Sequence, residues 1–239
     1  IVRARNTGYD RGWLASHPGP IPSLSVGNLS VGGTGKTPVS AWVAARLRAR
    51  GAHPAIVLRG YGGDEPQVHA ILNPAVPVVV APDRVDGVAR AAAAGATIAV
   101  LDDAFQHRRA RRSADVVLVS ADSWHEPLRL LPAGPWREPL RALARASLVL
   151  VTRKAASAEH ARLVLGRLRA ECPSVPGVVV HLAPDELRRV RGDESRPIAD
   201  ARGRSVFAIA AIGDPHAFAA QLAAAGARVT LRAFPDHHA

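Results

Sequence analysis

Methionine is absent from this 239-residue chain, cysteine occurs once, as Cys172, and only two of the 31 basic residues, Lys36 and Lys154, are lysine. A single cysteine excludes an internal disulfide framework and suits a reducing compartment; Cys172 reads as small filler near a helix end. Long apolar runs are missing too. No stretch approaches the roughly 18 residues of a membrane-spanning helix, and no signal peptide is legible. Aromatic residues make up only 4% of the chain, and neither an aromatic-and-basic RNA signature nor zinc-finger spacing is present, which disfavours nucleic acid as a partner. Ile1 in place of an initiator Met, and a stop just after Asp236-His237-His238, predict a piece of a longer protein. What is there in excess is arginine. The net charge of +11 draws the surface to anions such as lipid headgroups or phosphorylated substrates.

The most informative stretch is Ser30-Val31-Gly32-Gly33-Thr34-Gly35-Lys36-Thr37. It lies between a β-prone run, Ile21 to Val26, and a helical run, Pro38 to Arg50. A strand, a glycine loop and a helix in that order form a phosphate-binding P-loop. Glycines let backbone N–H groups approach an anion without Cβ clashes, and the helix N-terminus aims partial positive charge at the same place. Gly32, Gly33, Thr34 and Gly35 are the expected cradle. Lys36 would reach the β- and γ-phosphates of ATP, and the Thr37 hydroxyl would hold Mg²⁺. Ser30 stands where the general pattern has its first glycine.

Short apolar strands recur between helices: 24–26, 55–58, 76–81, 97–101, 115–120, 148–152 and 178–182, with helices at 38–50, 83–94 and 158–171. This pattern predicts an α/β fold of the P-loop NTPase type, a mostly parallel sheet with helices on both faces. Residues 183–204 are polar and read as a connection or a short two-stranded excursion. A further strand, helix and strand (206–211, 216–225, 228–233) predict a small C-terminal α/β domain. The expected division is a P-loop core over 1–195 and the start of a smaller, incomplete domain over 196–239.

Asp102-Asp103 follows the strand at 97–101. Acids at the carboxyl end of a parallel strand lie on the ligand-binding edge of such a sheet, and one of them would meet Mg²⁺ directly or through water. Gln106 and His107, just beyond, are candidates for nucleotide or substrate. Asp64 and Glu65 sit on what reads as a glycine-flexible loop at the same edge, where a carboxylate could accept a proton from an attacking hydroxyl. Arg137, in the Pro-rich segment 131–138, could clamp a phosphate. Asp83-Arg84 reads as an acid–base pair or a helix cap. Asp236-His237-His238 suits a proton relay or an incomplete metal site. At this level a kinase or ligase on a soluble metabolite, and a regulatory P-loop ATPase that binds polyanions, remain open.

Several segments together resemble the tetraacyldisaccharide 4′-kinase, or lipid A 4′-kinase, family: Ser25 to Pro38, Arg59-Gly60-Tyr61-Gly62, Gly63-Asp64-Glu65-Pro66, Asp83-Arg84, Asp102 to His107, Leu131 to Glu138, Ile212 to Pro215 and Phe234 to His238. The likeness spans nearly the whole chain and accounts for Ser30, since the family has Ser or Thr there. It implies ATP-dependent phosphorylation of the 4′-hydroxyl of an acylated glucosamine disaccharide 1-phosphate, giving lipid IVA, at the cytoplasmic face of the inner membrane with peripheral lipid contact. It implies Asp64 as general base with His237 as its partner. Lys36, Thr37, Asp102 and Asp103 would serve the ATP phosphates and Mg²⁺. Glu65, Arg84, Gln106, His107, Arg137 and Glu138 are further candidates. Unlike the family, this chain fuses two motifs at Gly62-Gly63 where an insertion is usual, and has Ala104 in place of a glycine.

Overall fold

The computed structural model describes residues 2–60, 64–192 and 194–235. Seven strands form one parallel sheet: β1 (Ser23–Asn28), β2 (Pro54–Leu58), β3 (Val78–Val80), β4 (Ile98–Asp102), β5 (Ala114–Ser120), β6 (Leu148–Arg153) and β7 (Gly177–His181). Their spatial order is β3-β2-β4-β1-β5-β6-β7. Helices connect them: α1 (Val2–Asp10) precedes β1, and α2 (Lys36–Ala49), α3 (Glu65–Leu72), α4 (Arg84–Ala93) and α5 (Ala158–Glu171) follow. The expected α/β sheet is therefore present, with helices on both faces.

Alternation along the strands sorts side chains between the two faces. Val26, Ile56, Leu58 and Val100 pack with Val39 and Ala44 of α2. The intervening Ala55, Val57, Ala99 and Leu101 pack with Val88 and Ala91 of α4. Val117, Val119, Val149 and Val151 meet Ala161, Val164, Leu165 and Leu168 of α5, and Cys172 is buried in that cluster. β2 is buried along its whole length, as expected of a strand covered on both faces.

The chain order reverses around β1. From β1 the chain crosses to β2 on one side; after β4 it passes to β5 on the other. A crevice opens at such a point beyond the carboxyl ends of the strands. Asn28, Leu58, Asp102, Ser120 and Arg153 end their strands along this one edge.

Beyond β7, β8 (Glu186–Arg188) and β9 (Ser195–Pro197) form an antiparallel pair, which is the two-stranded excursion expected in the polar region. Then β10 (Ser205–Ala210), α6 (Pro215–Ala224) and β11 (Arg228–Ala233) follow, with β10 and β11 paired in parallel in a sheet of their own. Two elements differ from expectation. The strand expected over 76–81 is confined to Val78–Val80, between Pro77 and Pro82. Asp64 and Glu65 are not on a flexible loop: Asp64 caps α3, accepting from the Glu65 N–H at 3.0 Å, and Pro66 occupies the first turn. That arrangement favours a helix start.

Candidate active site

The glycine loop leaves the end of β1 and enters α2. Gly35 is the residue before the helix, with φ +88°, a conformation that L side chains rarely adopt. A Cβ there would also run into Leu182 Cδ1. The side chains of Asp64, Asp83, Ser157 and Asp214 cap α3, α4, α5 and α6, whereas no side chain caps α2. Its first N–H groups thus face the crevice without a built-in acceptor, which is what an anion site at a helix N-terminus demands. Buried bonds hold the loop's shape. Asn28 Nδ2 donates to Thr34 Oγ1 at 3.0 Å, and Thr152 Oγ1 donates to the Thr34 carbonyl at 2.9 Å.

Lys36 and Thr37 open α2. Lys36 Nζ lies 3.8 Å from Asp103, and Arg137 Nη1 donates to both Asp103 oxygens at 2.9 and 3.0 Å. The Arg137 backbone is itself pinned by its N–H to the Leu29 carbonyl at 2.6 Å. Burial would raise the Asp103 pKa, but Lys36 and Arg137 outweigh it and hold the carboxyl below its ordinary range. Asp103 adopts φ +49°, the one positive-φ residue other than glycine among those described. That turn sends Asp102 and Asp103 to different partners. Asp102 Oδ2 meets His69 Nε2 of α3 at 2.8 Å in the interior. Arg84 is buried, and its guanidinium donates to the carbonyls of Ala81 (2.9 Å) and Asp102 (3.2 Å).

Gln106 Nε2 donates to the Asn28 carbonyl at 2.9 Å, which places it against the base of the glycine loop. His107 lies close by. Burial, reinforced by Arg84 and Arg59, lowers its pKa to about 4, so its imidazole is neutral at pH 7. Glu138 is fully buried and its carboxylate is consumed by Asn6 (2.6 Å) and Arg145 (2.9 and 3.0 Å). Glu138 therefore ties α1 to the loop that carries Arg137. Asp83 caps α4 and pairs with Arg109. Asp64 and Glu65 lie at the start of α3, just past the carboxyl end of β2. The charge of Glu65 is felt at Arg84. His237 lies outside the described residues, as do Asp236 and His238.

Sequence reading missed Lys154 and His69, and knew Asp214 only as part of a family motif. Lys154 Nζ donates to the carbonyl of Gly33 at 2.9 Å and to Asp214 Oδ2 at 2.6 Å. A Cβ on Gly33 would lie 3.1–3.3 Å from Gly213 and Asp214, so the start of α6 rests directly on the glycine loop. The backbone at Lys154 is fixed by Asp122, whose carboxylate accepts from the N–H groups of Lys154, Ala155 and Ala156. Lys154 follows β6 as Asp102 closes β4, so the strand-end rule that found the acids could have found it. His69 lies on α3, most of which the sequence reading left unassigned, and nothing local marks it.

Strand order, glycine loop and uncapped α2 define an α/β protein of the P-loop nucleotide-binding type, with a cation–carboxylate cluster beside its glycine loop. Residues 1–74 and 62–239 match the family profile described as tetraacyldisaccharide-1-P 4′-kinase, the two segments overlapping where the motifs are fused. The tetraacyldisaccharide 4′-kinase of Halorhodospira halophila is 41% identical over 97% of this chain and 70% of its own length. That of Anaeromyxobacter sp. (strain K) is 40% identical over 96% of this chain and 67% of its own length. Among solved structures, LpxK from Aquifex aeolicus, in complex with ATP, superimposes with a TM-score of 0.77 at 30% identity, covering all of this chain and 78% of that one. The chain belongs to the tetraacyldisaccharide 4′-kinase family. The resemblance drawn from the motifs is correct, and the two other P-loop readings are not favoured.

Proposed function

We propose that this chain transfers the γ-phosphoryl group of ATP to the 4′-hydroxyl of tetraacyldisaccharide 1-phosphate, giving lipid IVA in lipid A synthesis. The observation that carries this is the uncapped N-terminus of α2 behind its glycine loop, flanked by Lys36, Arg137 and Lys154. Phosphoryl transfer asks little covalent chemistry of a protein; it asks for positioned positive charge around the equatorial oxygens. Gly32, Gly33, Thr34 and Gly35 would cradle the β-phosphate through backbone N–H groups. Lys36 would pair with the β- and γ-oxygens. Arg137, now held by Asp103, is within the same cluster and would meet charge that builds on the transferring group. Gln106 borders the loop as a neutral hydrogen-bonding group, and His107 follows it as a neutral imidazole.

The donor set fits Mg²⁺. Thr37 is the second residue of α2, and Asp102 keeps a buried Oδ1 with no partner. An ion of this kind takes most of its ligands from phosphate and water. Thr37 with Asp102 or Asp103 would hold it, and once bound it would neutralise charge shared by the β- and γ-phosphates. Asp64 is the proposed general base, with His237 as its partner. As the 4′-oxygen bonds to the γ-phosphorus, the β–γ bridging bond breaks towards ADP and the hydroxyl proton passes to the Asp64 carboxylate. The place of Asp64 at the start of α3, where its side chain caps the helix, supports this reading.

We also propose that residues 1–195 act as the kinase core and 196–239 as the start of a smaller domain; the separate β10–β11 sheet supports this. The chain would work at the cytoplasmic face of the inner membrane. Arginine excess supports peripheral contact with anionic lipid, worth about 1 kcal/mol per well-placed base. No helix among the described residues is long and apolar enough to cross a membrane.

The test is transfer of radiolabelled γ-phosphate from ATP–Mg²⁺ to tetraacyldisaccharide 1-phosphate in detergent micelles. Lys36→Ala is expected to lower kcat by roughly 10²–10³-fold, the cost of removing one preorganised charge donor, and Asp64→Ala by roughly 10²–10⁴-fold. Absence of product from folded, ATP-binding protein would refute the assignment.

A further inference from the structure

Two buried carboxylates near the crevice are satisfied in different ways. Glu138 shows what a structural one requires: with no exposure at all, both of its oxygens accept hydrogen bonds, from Asn6 and Arg145. Asp102, 5% exposed, is different. Its Oδ2 accepts from His69 Nε2 at 2.8 Å, while its Oδ1 is buried without a partner. An unmatched buried carboxylate oxygen is costly, and a purely structural acid would be expected to have it filled. The neighbouring cations do not fill it, since Lys36 and Arg137 are engaged with Asp103.

His69 is completely buried and comes from the second turn of α3, the helix that Asp64 opens. Its bond to a carboxylate requires the proton on Nε2, and Nδ1 has no partner among the described residues. Arg84 donates to the Asp102 backbone carbonyl, and among the described residues the hydrogen bond to the Asp102 carboxylate is the one from His69. His69 thus fixes the rotamer of one acid and joins the helix that starts at Asp64 to the strand end that carries Asp102.

We propose that His69 is a positioning residue for the nucleotide site: by donating to Asp102 Oδ2 it holds the carboxylate so that Oδ1 stays available to Mg²⁺ or to a water in its shell. This rests on the reading of the site as one for ATP and Mg²⁺. Outer-shell partners of this kind commonly change metal affinity by 10–100-fold when removed.

The experiment compares His69→Leu, His69→Gln and the unaltered chain, with ATP affinity measured by titration calorimetry over a series of Mg²⁺ concentrations and in EDTA. His69→Leu is expected to raise the Mg²⁺ concentration needed for half of the metal-dependent gain in affinity by roughly 10–100-fold, and to leave ATP affinity in EDTA unchanged. His69→Gln, which can still offer an N–H, is expected to recover most of the difference. If the leucine variant fails to fold, His69→Phe keeps bulk and planarity without the donor and takes its place. An unaltered Mg²⁺ requirement, or equal weakening of ATP with and without Mg²⁺, would overturn the proposal and leave His69 as a packing residue. ATP binding by the unaltered chain that is insensitive to Lys36→Ala would instead refute the reading of the site itself.

Discussion

The sheet built from β1–β7 and the small unit built from β10, α6 and β11 are both parallel, yet they are held together differently. β2 is buried at every position, and so is most of β1. β10 alternates: Ala208 and Ala210 are buried, while Phe207 and Ile209 are each 65% exposed. The large sheet is anchored by apolar burial on two faces. The small unit meets the core through two polar contacts, Lys154 with Asp214 and Gln221 with the Leu182 carbonyl, and through the close approach of the start of α6 to Gly33. Burial sets stability, whereas a handful of directional bonds set where the small unit sits. A unit held that way can shift without unfolding the core.

Three substitutions probe this contrast. The largest effect is expected in the core. Leu101→Ala, fully buried between β4 and α4, should cost about 2–5 kcal/mol in chemical denaturation, against less than about 0.5 kcal/mol for Ile209→Ala. Similar losses at the two sites would mean that the small sheet shares the core's packing. An intermediate effect is expected from Asp214→Ala, which removes the α6 cap and one of the two partners of a mostly buried Lys154 amine and should cost about 1–3 kcal/mol. Limited proteolysis should show it concentrated beyond residue 182, with cleavage within the core unchanged.

The smallest effect concerns pH. His107, with its pKa lowered from 6.5 to about 4, stays neutral in the fold while the unfolded chain takes up a proton. Between those two values the unfolded state binds more protons, so stability should fall as pH drops from about 6.5 towards 4. His107→Gln should flatten that part of the stability profile, followed by thermal melts at pH 7, 5.5 and 4.5. An unchanged slope would assign the acid sensitivity to other groups.

Much of this was legible because a strand covered on both faces must be an apolar run, and 97–101 or 148–152 contain little else. The glycine loop was legible because its residues are demanded by local conformation. α1 was not read, since Val2–Asp10 carries no clear apolar stripe. The start of α3 was misread as loop because glycines before Asp64 outweighed the helix signal of Asp64 and Pro66. The pairs that organise the site could not be seen locally. His69 and Asp102 are 33 residues apart, and Lys154 and Gly33 are 121 apart; only the sheet order brings them together. Asp102 and Asp103 were a single signal in the sequence, and a left-handed turn at Asp103 separates their roles.

The scarcity of lysine has a practical consequence. Both lysine amines of this chain adjoin the glycine loop, one paired with Asp103 and the other with Asp214. Within these 239 residues a lysine-selective acylating reagent therefore has only side chains beside the glycine loop to label. Protection of these two amines by ATP would test occupancy of that loop, with no other lysine among these 239 residues to contribute.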